Sequence, residues 1–462
     1  MNQDQGGGFT EPGGGVMDQL HVLRRRKGGS ARLMAVSAVS VVLLAACGST
    51  ASGSTSGTGG SSAQTSSGSV TFGGISTFTG SSASFGPELM AGCYTAVDLI
   101  NKAGGILGHQ ASCIPINTNG DPADAVPAVS KAIAIDHLSG VLGPGGTATA
   151  TAPLLEAAGI TMLADSGDSA FNKTTDTYFW RITPPDSAGG LALAAWGYEH
   201  GCKTGVAVFS NTTTAQTSVP TLLSGFKRLG GTMALNFQLV PDSSTYESQV
   251  ARVIAAHPQC IFTEADPQTD ATFLSEFKQL NNGQMIPIVG TEPTITTQWQ
   301  KAVTGAIGAS QMAKYYVGVQ PYTPAQGQAW SIFNKELLAN AKQIPNPSQW
   351  SSDPYSMTDY DGINIMALAM LEAKSTNPKV YNSDILSVTQ PGANKVDVYS
   401  YAQGKALLAQ GKQIRLVGSG GAVDFNQYHN FGGAFSGNGY TVGGSPTLVG
   451  VVSAAVIKGL SS

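Results

Sequence analysis

Two successive blocks of short apolar runs, separated by longer amphipathic segments, constrain the fold of this 462-residue chain most strongly. The first block extends from Val70 to Ile182, and the second from Thr204 to Val319. Each apolar run has the length of a strand and each gap has the length of a helix, which is the pattern of βαβ units in a mostly parallel sheet. The sequence therefore predicts an α/β protein with two doubly wound, Rossmann-like lobes.

The apolar runs also give the strand positions. We expect strands near residues 70–75, 112–117, 139–143, 160–164 and 177–182, and again near 204–209, 233–239, 260–263, 286–289 and 314–319. Ligands of open parallel sheets collect at the carboxyl ends of strands, where loops and helix N-termini offer N–H groups. The loops after these strands are rich in Ser, Thr, Gly and acidic residues, which suits a small polar ligand.

Four cysteines lie in the two blocks, and an even number favours disulfides in an oxidising compartment. Residues 87–103 have the pattern of a helix with Cys93 on its apolar face, and Cys113 begins a strand that contains a proline, as edge strands do. Cys202 and Cys260 each precede a strand, and these strands are neighbours in the order 2-1-3-4-5. The expected pairs are Cys93 with Cys113, and Cys202 with Cys260. The alternative is four buried thiols.

The N-terminal segment has the features of an export signal. Basic residues 24–27 precede an apolar stretch, Leu33 to Ala46, that is too short to span a bilayer. Its end, Leu-Ala-Ala-Cys47, resembles a bacterial lipoprotein signal, which implies that Cys47 is lipidated and begins the mature chain. The alternative is an uncleaved N-terminal anchor. Residues 48–68 are almost entirely Gly, Ser, Thr and Ala, so we expect a flexible linker between the lipid and a folded body.

Charge argues against nucleic acid as a partner. The segment before Cys47 holds five of the 25 basic residues and three of the 29 acidic residues. The remainder therefore carries 20 basic and 26 acidic residues, a net charge of −6, and it has no basic run. No later stretch is long and apolar enough to cross a membrane.

Short matches along the chain resemble one family. They are Phe85-Gly86, Ala91-Gly92, Ile100-Asn101, Gly104 to Gly108, Leu142-Gly143-Pro144, Ala152-Pro153, Gly159-Ile160, Arg181, Pro184 to Ser187, Asp242, Tyr246, Gly290, Glu292, Tyr360-Asp361, Gly420 and Val423-Asp424-Phe425. In order and spacing they resemble the branched-chain amino acid (Leu/Ile/Val) binding proteins, here in lipoprotein form. These are type I periplasmic binding proteins, the substrate-binding components of ABC importers. The resemblance extends from Val70 to Gly459.

The resemblance implies two lobes joined by a hinge and a ligand held between them. Its expected organisation is a signal peptide with an N-terminal extension at 1–46, a lipidated linker at 47–68, lobe 1 at 69–187 and 318–430, and lobe 2 at 188–317 and 431–462. The chain would cross between the lobes near Pro184, Gly318 and Phe431.

The resemblance also implies which residues contact the ligand. In lobe 1, Gly146 and Thr147 lie in the loop expected to bind a ligand carboxylate, and Ser166 and Asp168 lie in the next loop. Phe85 stands in the place of an aromatic that closes over the ligand. In lobe 2, an acid that binds the ligand amino group is expected after the strand at 286–289. That acid is Glu292, and a charged acceptor is what an ammonium leaving water requires.

The chain departs from the family pattern at several of these positions. Asp168 stands where amino-acid binders carry a hydroxyl, and it would repel a ligand carboxylate. Thr214 and the pair Ala265-Asp266 replace aromatics that contact ligand. We therefore expect a ligand more cationic or more polar than leucine. In the alternative interpretation, Asp168 caps the turn that follows it, Glu292 is a solvated loop acid and Phe85 belongs to the core.

An exported enzyme is the alternative class. Residues 143–148 fit the dinucleotide pattern G-x-G-x-x-A after a strand, and Asp165 follows at about the expected distance. The match lies on the third strand of its block rather than the first, the scattered histidines lack a zinc spacing, and no nucleophile elbow is present. We therefore expect no catalytic residue, no metal and no cofactor.

The expected function follows. The protein would be a monomeric extracytoplasmic lipoprotein, anchored to the cell membrane, that captures a small amino-acid-like ligand, an amino acid or a related amine or amide. It would deliver that ligand to an ABC permease in the membrane. The alternative is a ligand-sensing lipoprotein that presents its closed state to a receptor.

Overall fold

The computed structural model describes residues 69–80 and 82–461. The first block folds into a five-stranded parallel sheet in the order β2-β1-β3-β4-β5. This is a doubly wound order, and doubly wound lobes are what the sequence predicts. Its strands are β1 Val70–Ser76, β2 Ala111–Asn117, β3 Leu138–Leu142, β4 Met162–Ala164 and β5 Phe179–Arg181.

The second block forms the parallel part of a seven-stranded sheet in the order β15-β14-β10-β9-β8-β6-β7. The strands from this block are β6 Thr204–Ser210, β7 Thr232–Leu239, β8 Cys260–Glu264, β9 Ile288–Gly290 and β10 Tyr316–Tyr322. A small third sheet contains β11 Val396–Val398, β12 Ile414–Gly418 and β13 Gly421–Ala422. The hairpin β14 Ala434–Tyr440 and β15 Pro446–Val452 extends the second sheet with antiparallel strands.

Helices lie between the strands, as the βαβ pattern predicts. Those of the first block are α1 Phe85–Lys102, α2 Pro122–Ile135 and α3 Ala148–Ala158. Those of the second are α4 Asp186–Glu199, α5 Thr213–Gln216, α6 Val219–Arg228, α7 Glu247–Ala255, α8 Pro267–Leu280, α9 Thr297–Ile307 and α10 Ala309–Tyr315. The remaining helices are α11 Gly327–Ala339, α12 Pro354–Ala373, α13 Pro378–Tyr381, α14 Ile385–Thr389, α15 Tyr401–Leu408 and α16 Ala454–Ser461.

Each large sheet is buried on both faces, which makes two lobes rather than one core. In the first lobe, α1 and α12 cover one face, while α2 and α3 cover the other. In the second lobe, α4 and α6 lie on one side, and α8 and α9 lie on the opposite side. Residues in the central strands point into apolar layers on both sides, so these strands are continuous apolar runs rather than alternating ones. This packing explains why the sequence pattern was easy to detect.

The crossings between the lobes differ from the expected positions in one place. Strand β10 stays in the second sheet beyond Gly318 and pairs with β14 as far as Tyr322, which lies opposite Ala434. The chain therefore leaves this sheet after Tyr322 instead of at Gly318. The crossings near Pro184 and Phe431 stay a prediction. Their segments lie side by side, since a β-carbon added to Gly433 would lie 2.9 Å from Pro184 Cγ.

Both disulfides join the cysteines that the sequence pairs. Cys93 on α1 is bonded to Cys113 on the edge strand β2, with the Cα atoms 6.2 Å apart. Cys202 is bonded to Cys260 on β8, with the Cα atoms 5.8 Å apart and a sequence separation of 58. Closing loops of these lengths restricts the unfolded chain, which stabilises each lobe by about 2–4 kcal/mol.

The described residues also bear on the membrane prediction. None of their helices combines the length with the apolar character that a bilayer crossing requires. The predicted signal, the lipidated Cys47 and the linker at 47–68 lie outside the described residues.

Candidate functional site

A cavity of about 540 Å³ lies between the two lobes. Its walls are formed by the loops at the carboxyl ends of the parallel strands in both sheets, as expected for this architecture. All eight residues that the sequence nominates for ligand binding line this cavity: Phe85, Gly146, Thr147, Ser166, Asp168, Thr214, Asp266 and Glu292. Their contact with a ligand stays a prediction.

The glycine-rich loop after β3 is held in place by the protein itself. Gly143 has a φ of +89°, and a β-carbon there would lie 2.0 Å from Ile75 O, so only glycine fits this close approach to β1. The Gly145 N–H donates to Asp165 Oδ1 at 2.7 Å. Both the N–H and the hydroxyl of Thr147 donate to Pro144 O, at 3.1 Å and 3.0 Å. Three donors of the loop expected to bind a carboxylate are thus already engaged.

The next loop, after β4, places Ser166 and Asp168 in the cavity wall. Asp168 Oδ1 accepts from the Ala170 N–H at 2.8 Å and so caps the 3₁₀ turn that follows, while the residue also lines the cavity. Behind the wall, the fully buried Arg181 donates to Asp168 O and to Asn172 Oδ1. Burial lowers the pKa of Arg181 to about 10, and the nearby Asp186 and Asp168 oppose that shift. Arg181 therefore fixes this loop from below the cavity.

The second lobe contributes the opposite wall. Glu292 begins a 3₁₀ turn after β9, and Asp266 Oδ1 caps α8 by accepting from the N–H groups of Gln268 and Thr269. Thr214 on α5 faces the first lobe, since a β-carbon added to Gly146 would lie 3.7 Å from Thr214 Cγ2. The two lobes are therefore close enough at this end of the cavity that one added methyl group on Gly146 would bring them into van der Waals contact.

Acidic side chains dominate the polar wall. Nine of the described lining residues are acids, and none of the described lining residues is Lys, Arg or His. The acids are Glu88, Asp165, Asp168, Asp186, Asp242, Glu264, Asp266, Glu292 and Asp359. Within residues 69–80 and 82–461, the ion pairs are Lys102–Glu336 and Arg415–Asp424, and neither belongs to this wall.

Burial raises the pKa values of six of these acids, namely Glu88, Asp165, Asp186, Glu264, Glu292 and Asp359. Burial raises the pKa of Glu292 to about 8, and the negative charges of Asp353, Asp186 and Asp165 add to the effect. The pKa of Glu264 is likewise raised to about 8, mainly by burial. A cation close to these carboxyl groups would lower their pKa values again.

Two acids of the first lobe lie deepest. Glu88 on α1 is 8% exposed and Asp359 on α12 is 1% exposed. Neither carboxylate oxygen of Asp359 has a hydrogen-bond partner within the described residues. Burying a carboxyl group without a hydrogen-bond partner costs free energy. A ligand that donates hydrogen bonds to Asp359 would remove that cost.

Several residues of this wall are not among the contacts predicted from the sequence. Asp165 and Glu264 directly follow predicted strands, so the tendency of ligands to collect at the carboxyl ends of strands points to both of them. Asp359 and Tyr355 had no such signal, because α12 is distant in sequence and reaches the cavity only by packing on α1.

The dinucleotide pattern has a different explanation in the structure. Asp165, the acid at the expected distance, is hydrogen-bonded to Gly145 of the same glycine-rich loop. The pair therefore braces two loops of the cleft. In the described part of the chain, no group of three or more His, Cys, Asp or Glu residues is arranged to hold a metal ion.

Two doubly wound lobes with a polar cavity between them define a two-lobed solute-binding protein. Comparison with known families agrees: the periplasmic binding protein family matches residues 69–382. The chain belongs to this family, whose members are substrate-binding proteins of the extracytoplasmic space rather than enzymes.

Individual relatives are similar in fold or in part of the sequence. A Leu/Ile/Val-binding protein of Rhizobium johnstonii, BraC3, is 35% identical over 96 residues, which cover 20% of this chain and 26% of that relative. The leucine binding protein LivK from Thermotoga maritima has a TM-score of 0.66 at 16% identity, over 83% of this chain and 99% of the other. The substrate binding protein LivJ from Streptococcus pneumoniae, solved with isoleucine, has a TM-score of 0.66 at 17% identity, over 84% and 99%. At these identities the structural likeness shows the fold.

Proposed function

We propose that this protein captures a small amino-acid-like or amine-bearing solute between its lobes and delivers it to an ABC importer. The observation that carries the proposal is the cavity between the lobes, whose polar groups come from both sheets. Relatives named for binding leucine, isoleucine and valine support an ABC transport role.

Closure of the lobes would provide the mechanism. The proposed contacts are Phe85, Gly146, Thr147, Ser166 and Asp168 in the first lobe, and Thr214, Asp266 and Glu292 in the second. A ligand that touches both lobes gains all its contacts only when they are closed, so it shifts the hinge equilibrium towards that state. The crossings after Arg181 and Tyr322, and the one near Phe431, would form the hinge between the lobes.

A solute panel tests this function. We expect at least one compound among amino acids, polyamines, amides and small carboxylates to raise the melting temperature of the purified protein, because a ligand of the folded state stabilises it by mass action. The same compound should reduce the radius of gyration in X-ray scattering. A panel without any thermal shift, or a shift without compaction, would contradict capture by lobe closure.

We also propose that Cys47 carries a lipid and anchors a monomeric protein to the outer side of the cell membrane. Cys47→Ser should then move the protein from the membrane fraction to the soluble fraction, because the lipid is its only proposed anchor. Cell fractionation with immunoblotting measures this change, and Cys93 and Cys202 offer no substitute since both are in disulfides. Unchanged membrane association of Cys47→Ser would refute the lipid anchor.

A further inference from the structure

We infer that the ligand is an organic amine that carries no carboxylate at the Gly145–Thr147 turn, because Asp165 occupies that anion position from within the protein. The inference rests on the proposed function and specifies the substrate class of the same cleft. It predicts that the protein prefers an amine to the amino acid from which that amine differs only by the carboxylate.

The glycine-rich loop after β3 is the expected position of a ligand carboxylate. The family resemblance assigns the carboxylate to the loop that contains Gly146 and Thr147. In the structure, Asp165 Oδ1 accepts a hydrogen bond from the Gly145 N–H at 2.7 Å. The N–H and the hydroxyl of Thr147 both donate to Pro144 O. A ligand carboxylate here would displace these bonds and also meet the negative charge of Asp165.

Acids from both lobes line the cavity. Asp359 is 1% exposed, lines the cavity and has no hydrogen-bond partner among the described residues for either carboxylate oxygen. Glu88, 8% exposed, lines the same cavity, and Glu292 contributes an acid from the opposite lobe. An ammonium group donates three hydrogen bonds and carries the compensating charge, so it satisfies such acids directly.

The wall of the cavity is acidic throughout. Nine acids line it, and none of the described lining residues is Lys, Arg or His. The buried Arg181 donates to Asp168 O but does not line the cavity. A zwitterionic amino acid adds no net charge to the acidic cavity, whereas an amine adds at least one positive charge. A cavity of about 540 Å³ is far larger than a bare ion needs, which points to an organic cation.

Matched pairs of compounds test the inference. L-Leucine and 3-methylbutylamine differ only by the carboxylate, and so do L-ornithine and putrescine. In calorimetric titrations of the full protein at pH 7.5, we expect the amine of at least one pair to bind at least tenfold more tightly than its amino acid. Equal or tighter binding of both amino acids overturns the inference and leaves the proposed function standing. Failure of both amines to bind also overturns it, and the wider solute panel then decides the proposed function separately.

Two variants localise the effect. Asp165→Asn keeps an oxygen to accept the Gly145 N–H but removes the charge, so it should shrink the preference for the amine at least threefold. Asp359→Asn should weaken amine binding at least tenfold, with folding verified by circular dichroism and melting temperature. Asp397→Asn, on the exposed edge of β11, is the matched control and should change neither value. An unchanged amine preference in Asp165→Asn would contradict the role given to that residue.

Discussion

Replacing Glu292 by alanine should weaken binding of the protein's ligand at least tenfold. Glu292 lines the cavity from the second lobe, begins the turn after β9, and faces a cleft without any described cationic side chain. If the ligand amino group is its partner, its removal leaves that ammonium desolvated and unpaired, which costs about 2–5 kcal/mol in comparable buried pairs. Isothermal titration with the strongest compound of the solute panel measures the effect.

A second variant separates charge from shape. Glu292→Gln preserves the size of the side chain and should still lose most of the affinity, because the charge is the feature that matters. Glu247→Gln, on the exposed side of α7, is the control and should bind normally. If either Glu292 variant binds within twofold of the unmodified protein, the assignment of Glu292 as the amine-binding acid is wrong.

The ligand-free protein should lose stability as the pH rises from about 5 to about 8. Glu264 and Glu292 each have a pKa raised from 4.5 to about 8, mainly by burial in the cleft. The unfolded chain releases these two protons near the ordinary value, whereas the folded protein keeps them to about pH 8. Between those limits the folded state binds more protons, so its stability decreases as the pH increases.

The expected size of this effect is large for two side chains. Each group contributes at most about 1.4 kcal/mol for every pH unit inside its window, and water in the cleft reduces that figure. Asp270 and Asp361, with pKa values raised to about 7, act in the same direction. Urea unfolding at pH 5.5, 7 and 8 measures the free energy of unfolding at each point.

The control for this prediction uses the same positions. The double variant Glu264→Gln and Glu292→Gln has no proton to lose there, so its stability should vary less with pH than that of the unmodified protein. Glu247→Gln should retain the full dependence, since that side chain is exposed. A double variant whose profile remains as steep would show that other groups cause the dependence.

The parallel strands of both sheets were predictable because each one is marked by a short local pattern in the sequence. A strand such as β6 or β8 is buried on both faces, so its apolar run and the flanking turn residues are visible in a short window of sequence. The hairpin of β14 and β15 was not predicted. β14 is rich in glycine and serine, and most of β15 is exposed on the edge of the sheet, so neither strand has a continuous apolar run.

The disulfide pairs could be predicted by combining these local patterns with an assumed arrangement of the strands in each sheet. The order 2-1-3-4-5 placed the strands after Cys202 and Cys260 side by side, and the structure pairs Gly205 with Cys260. Once an order of the parallel strands is assumed, the geometry of the sheet determines which strand ends lie side by side.

The sequence by itself determined the two doubly wound lobes and the set of loops that meet at the cleft, because both depend on patterns within a few dozen residues. Only the tertiary structure decided the chemistry inside the cleft. Asp359 reaches the cavity because α12 packs on α1, and Asp165 turns towards Gly145 because two loops meet at the end of the sheet. Burial and the approach of acids from distant segments depend on the folded arrangement, and no local pattern encodes them.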